Sequence, residues 1–62
     1  PPIRMEFVWN TAAMAEICTY VPGVYKVDER TTVYECDDYQ QAFKLFTVFR
    51  RLAASVADRS YL

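Results

Sequence analysis

Histidine is absent from this 62-residue chain, glycine occurs once, and cysteine occurs twice. Each shortage removes a class of chemistry. Without histidine the usual proton shuttle near neutral pH and the commonest metal ligand are both missing, which excludes triads and histidine-based zinc sites. Two cysteines cannot complete a four-cysteine zinc cluster. A single glycine, Gly23, cannot build a phosphate-cradling loop or a dinucleotide fingerprint, both of which need several glycines where backbone approaches the ligand. No cofactor and no metal site is therefore implied.

Long apolar runs are also missing. Nothing approaches the roughly 18 residues of a membrane span, and no basic segment followed by an apolar stretch opens the chain as a signal peptide would. Cys18 and Cys36 are too few for a disulfide framework and read as reduced, packed thiols. The expectation is a cytoplasmic protein with no membrane contact.

Apolar content is plentiful. The chain is 53% hydrophobic and 16% aromatic, with Trp9, five tyrosines and four phenylalanines, which suits a folded domain rather than a disordered one. A domain of about 60 residues hides only roughly 60% of the surface its unfolded chain exposes. So much apolar surface calls for an outlet, either a second copy or another protein.

The whole of 1–62 reads as one small domain. Pro1-Pro2-Ile3-Arg4 looks like a remnant of expression and is set aside. From Met5 to Asn10 the side chains alternate as in a half-buried strand, with Met5, Phe7 and Trp9 on one face. Thr11 to Glu16 suits a helical turn capped by Asn10, while Ile17 to Val21 fits a strand equally well. Pro22-Gly23 signals a turn looser than a tight hairpin. Val24–Asp28 and Thr31–Cys36 then read as a hairpin centred on Glu29-Arg30, which sets Tyr25 opposite Tyr34 and Val27 opposite Thr32.

The strongest element spans 37–58, a long amphipathic helix capped by Asp37 or Asp38. Its apolar positions Tyr39, Ala42, Phe43, Phe46, Phe49, Ala53 and Val56 keep helical spacing, Gln40, Lys44, Thr47, Arg51 and Ser55 form the polar face, and Arg50, Arg51 and Arg59 favour the negative dipole end. Adding Leu45, Val48 and Leu52 widens the apolar arc to about 220°, against the little more than 100° that a core-facing stripe needs. Either a small sheet curls around the helix and buries most of the arc, or Leu45, Val48, Phe49 and Leu52 form an exposed ridge. Three short strands cannot readily wrap both sides of the helix, so the second arrangement is favoured, with the ridge as a homodimer or partner interface.

Charge divides along the chain. Met5–Asp38 carries seven acidic and two basic residues, whereas Tyr39–Leu62 carries four basic and one acidic. The acidic hairpin edge around Asp28, Glu29 and Glu35 is a candidate partner-binding surface. Lys44, Arg50 and Arg51 are candidates for nucleic-acid phosphates, a weaker reading because the formal net charge is −1 and nucleic-acid binders concentrate a basic footprint. Cys18, with no histidine to activate it, reads as core rather than nucleophile.

These features together predict an α+β fold, a small antiparallel sheet of three or four strands packed against one long C-terminal helix. Phe7, Trp9, Tyr25 and Tyr34 should meet Tyr39, Phe43, Phe46 and Phe49. The function expected is a non-enzymatic, inhibitor-type accessory protein, a homodimer that occupies a site on a larger macromolecule, in the style of small phage and mobile-element proteins. The alternative is a small nucleic-acid-binding regulator.

Overall fold

A computed structural model describes residues 2–59, with side chains described through residue 54. The elements run β1 (Ile3–Val8), α1 (Ala12–Cys18), β2 (Val24–Lys26), β3 (Thr31–Cys36) and α2 (Tyr39–Arg59). The sheet is antiparallel with strand order β1-β3-β2, and the two helices pack on one of its faces. The α+β architecture matches the expectation, with three strands.

Alternation in β1 is as the sequence implies, but the strand begins two residues early. Ile3 and Arg4 pair with Cys36 and Glu35, so the residues set aside as a remnant take part in the sheet. α1 is capped by Thr11 rather than Asn10, its hydroxyl accepting from the Met14 N–H at 3.1 Å. Ile17 and Cys18 finish this helix, which removes the strand reading of 17–21. The amide of Val24 then donates to the Val21 carbonyl at 3.1 Å. That closes a turn in which proline takes the second position and Gly23, at φ +87°, takes the third, where a side chain would be strained.

The hairpin register differs by one residue from the expected pairing. Val24 opposes Tyr34, Tyr25 opposes Val33 and Lys26 opposes Thr32. The cause lies in the turn. Asp28 accepts from the Arg30 amide at 2.9 Å, and Val27 donates to the Thr31 carbonyl at 3.0 Å, which leaves a three-residue loop centred on Glu29 in place of a two-residue one. Because strand side chains alternate, a one-residue slip exchanges the faces. Tyr34 joins Met5 and Val24 on the helix-covered face, and Tyr25 joins Val33 and Glu6 on the open face.

The core lies between sheet and helices. Trp9, Ala15, Cys18, Val24 and Phe49 form its buried cluster, with Phe7, Met14, Val21, Tyr34, Leu45 and Leu52 packed around them. Phe49 meets Phe7 and Trp9 edge-on, with ring centroids 4.9 and 5.1 Å away, a geometry that adds about 0.5–1.5 kcal/mol per pair beyond area burial. Lys26 reaches from the sheet edge to Glu16 of α1 at 3.3 Å. On the open face Val33 is fully buried, at the centre of the sheet between Glu6 and Tyr25.

Asp38 caps α2, accepting from the Gln40 amide at 2.8 Å. The phase of this helix differs from the expected one. Ala42, Leu45, Phe49 and Leu52 face the sheet, Phe46 reaches Phe7 at 6.3 Å between centroids, and Tyr39 and Phe43 stand in solvent. Tyr25, on the far face of the sheet, meets none of them. Ser55, Val56 and Arg59, assigned above to the polar face, the apolar stripe and the dipole end, lie outside the residues whose side chains are described. At 1.5 Å per residue, the 21 residues of α2 extend about 30 Å, while six-residue strands extend about 20 Å. The helix therefore overhangs the sheet.

Candidate functional site

The proposed ridge is turned inward. Phe49 is 2% exposed, Leu45 and Leu52 pack against the core, and of the four ridge residues only Val48 stands free, at 55% exposure. The reason is α1. It occupies the same sheet face as α2 and offers Ala15 and Cys18 to the side of the helix that carries Leu45 and Leu52, so the exposed aromatic side is the opposite one.

The acidic candidates are not brought together. Asp28 and Glu29 lie in the turn, while Glu35 lies about four residues along β3, some 13 Å away at strand spacing. Asp28 and Glu35 each have local work. The Asp28 carboxyl is held below the usual carboxylate range, first by the Arg30 backbone amide and then by the Thr31 hydroxyl. Glu35 accepts a hydrogen bond from the Tyr25 hydroxyl, which raises the phenol pKa. Beside them on the open face, Arg4 pairs with Glu6 at 2.9 Å.

Lys44, Arg50 and Arg51 are exposed on α2. The ion pairs among the described residues are Arg4–Glu6 and Lys26–Glu16, so these three cations have no partner there. Cys18 and Cys36 are free thiols. Burial raises the Cys18 pKa, which keeps it protonated and unreactive at neutral pH.

What the sequence did not disclose is a groove between the Pro22-Gly23 turn, β3 and α2. Val21, Pro22, Tyr34, Gln41, Lys44, Leu45 and Val48 line a space of about 400 Å³, within the range of small-ligand sites. The turn directs Val21 and Pro22 toward the helix, and the register places Tyr34 on that face. Gln41, Lys44 and Val48 recur at helical spacing along one flank of α2, a signal present in the sequence but uninterpretable until the phase of the helix is known. The walls are apolar, and the polar groups are an ammonium, an amide and a phenol whose pKa is raised chiefly by burial. Such a set can hold a peptide-like molecule.

Across Lys44 from this groove, Tyr39, Gln40, Phe43 and Lys44 outline a second, shallower concavity of about 290 Å³. Tyr39 is 78% and Phe43 71% exposed. No group of three or more His, Cys, Asp or Glu side chains able to hold a metal ion occurs among the described residues. No helix among the described residues is long and apolar enough to cross a membrane.

Comparison with known proteins gives one family. The family model described as D-aminopeptidase, Peptidase M55, matches residues 1–48. No curated protein and no solved structure matches the chain. The match overturns the expectation of a non-enzymatic, inhibitor-type or phage-like accessory protein, and with it the alternative of a nucleic-acid-binding regulator, because the family is one of peptidases. Composition misled here because the absence of histidine and of a glycine-rich loop excludes particular chemistries and not enzymes as a class. The matched residues include every residue that lines the groove.

Proposed function

This chain belongs to the D-aminopeptidase family, and we propose that it works in hydrolysis of the amide bond behind an N-terminal D-amino acid residue of a peptide. The observation that carries this reading is the family match over residues 1–48, which takes in all three strands, α1 and the first half of α2. Within that reaction the chain's own contribution is to hold substrate. The apolar walls formed by Val21, Pro22, Leu45 and Val48 receive a side chain beyond the scissile bond, and the Lys44 ammonium receives the peptide's terminal carboxylate, a charge-assisted contact. We set the reaction in the cytoplasm, a reading supported by the two free thiols.

Immunodepletion tests the proposal. An antibody against this chain should remove from a source-cell extract the activity that releases D-residues from D-alanyl peptides; activity left intact after complete removal of the chain would refute it. Lys44→Gln, introduced in the polypeptide as the cell makes it, should raise KM about tenfold for peptides with a free carboxylate, about 1.4 kcal/mol. It should leave kcat and the KM of C-terminally amidated peptides unchanged. Equal effects on both substrates would remove Lys44 from this role.

A further inference from the structure

Among the residues that line the groove, Tyr34 alone comes from the sheet. Its strand, β3, is the middle one, with Met5 opposite Tyr34 on one neighbour and Val24 on the other. The backbone beneath the ring therefore cannot shift without breaking the pairing on both sides. The ring itself packs against the core cluster. One edge of it lies against Gly23, where an added Cβ would come within 3.0 Å of Cε1 and 3.4 Å of Cδ1. Glycine thus serves this turn twice, by its φ of +87° and by letting the ring approach so closely. The rest of the lining is looser, since Pro22, Gln41, Lys44 and Val48 are exposed.

From this placement, and resting on the D-aminopeptidase reading above, we infer that Tyr34 is the specificity-determining residue of the groove: its ring is the floor that admits an aliphatic side chain beyond the scissile bond and turns away an indole. A pocket discriminates by size only where a wall does not yield. Exposed side chains on the flank of α2 rotate aside for a larger ligand, whereas the Tyr34 ring is held by the sheet, the core and Gly23. The space of about 400 Å³ also has to hold the terminal carboxylate beside Lys44 and the backbone that bears it. What is left above the ring suits a side chain such as that of leucine. Because one methylene too many or too few in a hydrophobic pocket changes selectivity by about 10–200-fold, a fixed ring at this place dominates the choice between side chains.

A ratio of two substrates tests this. For material purified from the source cell through an antibody to this chain, kcat/KM for D-alanyl-L-leucine should exceed that for D-alanyl-L-tryptophan by at least about tenfold. Tyr34→Ala, introduced in the polypeptide as the cell makes it, should bring the ratio down by at least about tenfold, through a lower KM for the tryptophan peptide with kcat unchanged. Tyr34→Phe keeps the ring and should keep the native ratio. If Tyr34→Ala does not fold, Tyr34→Trp reads the same claim in the other direction: it fills the groove and should shift preference from D-alanyl-L-leucine toward D-alanyl-glycine by at least about tenfold. A native ratio near one, a ratio that does not respond to the size of residue 34, or a Tyr34→Phe change as large as that of Tyr34→Ala would each overturn the inference. If immunodepletion fails to remove the activity, the functional reading falls and this inference with it. If depletion succeeds and the ratio does not move, the inference alone falls.

Discussion

The indole N–H of Trp9 donates to the Thr32 hydroxyl at 2.9 Å inside the protein. Both residues are buried, Trp9 at 4% exposure and Thr32 at 0%, and this contact joins the residue that follows β1 to the start of β3. Thr32→Val keeps the shape and removes the acceptor, which leaves a buried N–H unsatisfied at a cost of about 1–3 kcal/mol. The melting temperature should fall by at least about 4–8 °C, the shift that 1 kcal/mol produces in a domain of this size. Thr32→Ser, which restores an acceptor, should recover most of that loss. An unchanged melting temperature in Thr32→Val would show that the indole does not depend on Thr32.

The helix phase makes an opposite pair of claims about two phenylalanines. Phe49→Ala empties the centre of the aromatic cluster and should cost about 3–5 kcal/mol. Phe43→Ala removes a ring that touches mainly solvent and should change stability by no more than about 0.5 kcal/mol. Urea denaturation of the two variants checks both. The reverse order would restore the phase in which Phe43 faces the sheet.

Asp28 sets a pH dependence with a definite sign. Its carboxyl titrates below the ordinary value of 3.8 in the fold, because the ionised form accepts from the Arg30 amide. The fold thus favours the charged form; its contribution is present above the unfolded pKa and is lost as pH falls through the lower folded value. Thermal melting of the native chain and of Asp28→Asn should differ by a constant amount above about pH 5, and the difference should shrink below 3.8. A difference that does not vary with pH would remove Asp28 from this role.

The sequence disclosed the elements better than their faces. Alternation from Met5 to Trp9, the Pro22-Gly23 turn and the glycine-free run after Asp38 were each legible because they depend on local geometry. The hairpin slip was not, since it hinges on Asp28 bonding to the Arg30 amide, which turns a two-residue loop into one of three. The phase of α2 was illegible for a different reason. An apolar arc of about 220° contains several core-facing solutions, and α1, itself ambiguous from sequence, selects the one that buries Leu45, Phe49 and Leu52. With that choice the exposed surface moved from the Leu45–Leu52 ridge to Tyr39 and Phe43. The groove followed, because it needs the register of Tyr34 and the phase of Gln41, Lys44 and Val48 together. Lys44 was visible as a candidate cation for phosphates, but its place in the groove was not.

The central claim is that this chain works on peptides that begin with a D-residue. The most direct measurement is kcat/KM for D-alanyl and L-alanyl p-nitroanilide by material purified from the source cell through an antibody to this chain. The account expects the D-substrate to be favoured by at least about a hundredfold, equivalent to about 2.7 kcal/mol of transition-state discrimination. Equal rates for the two enantiomers, or no hydrolysis of either, would contradict it.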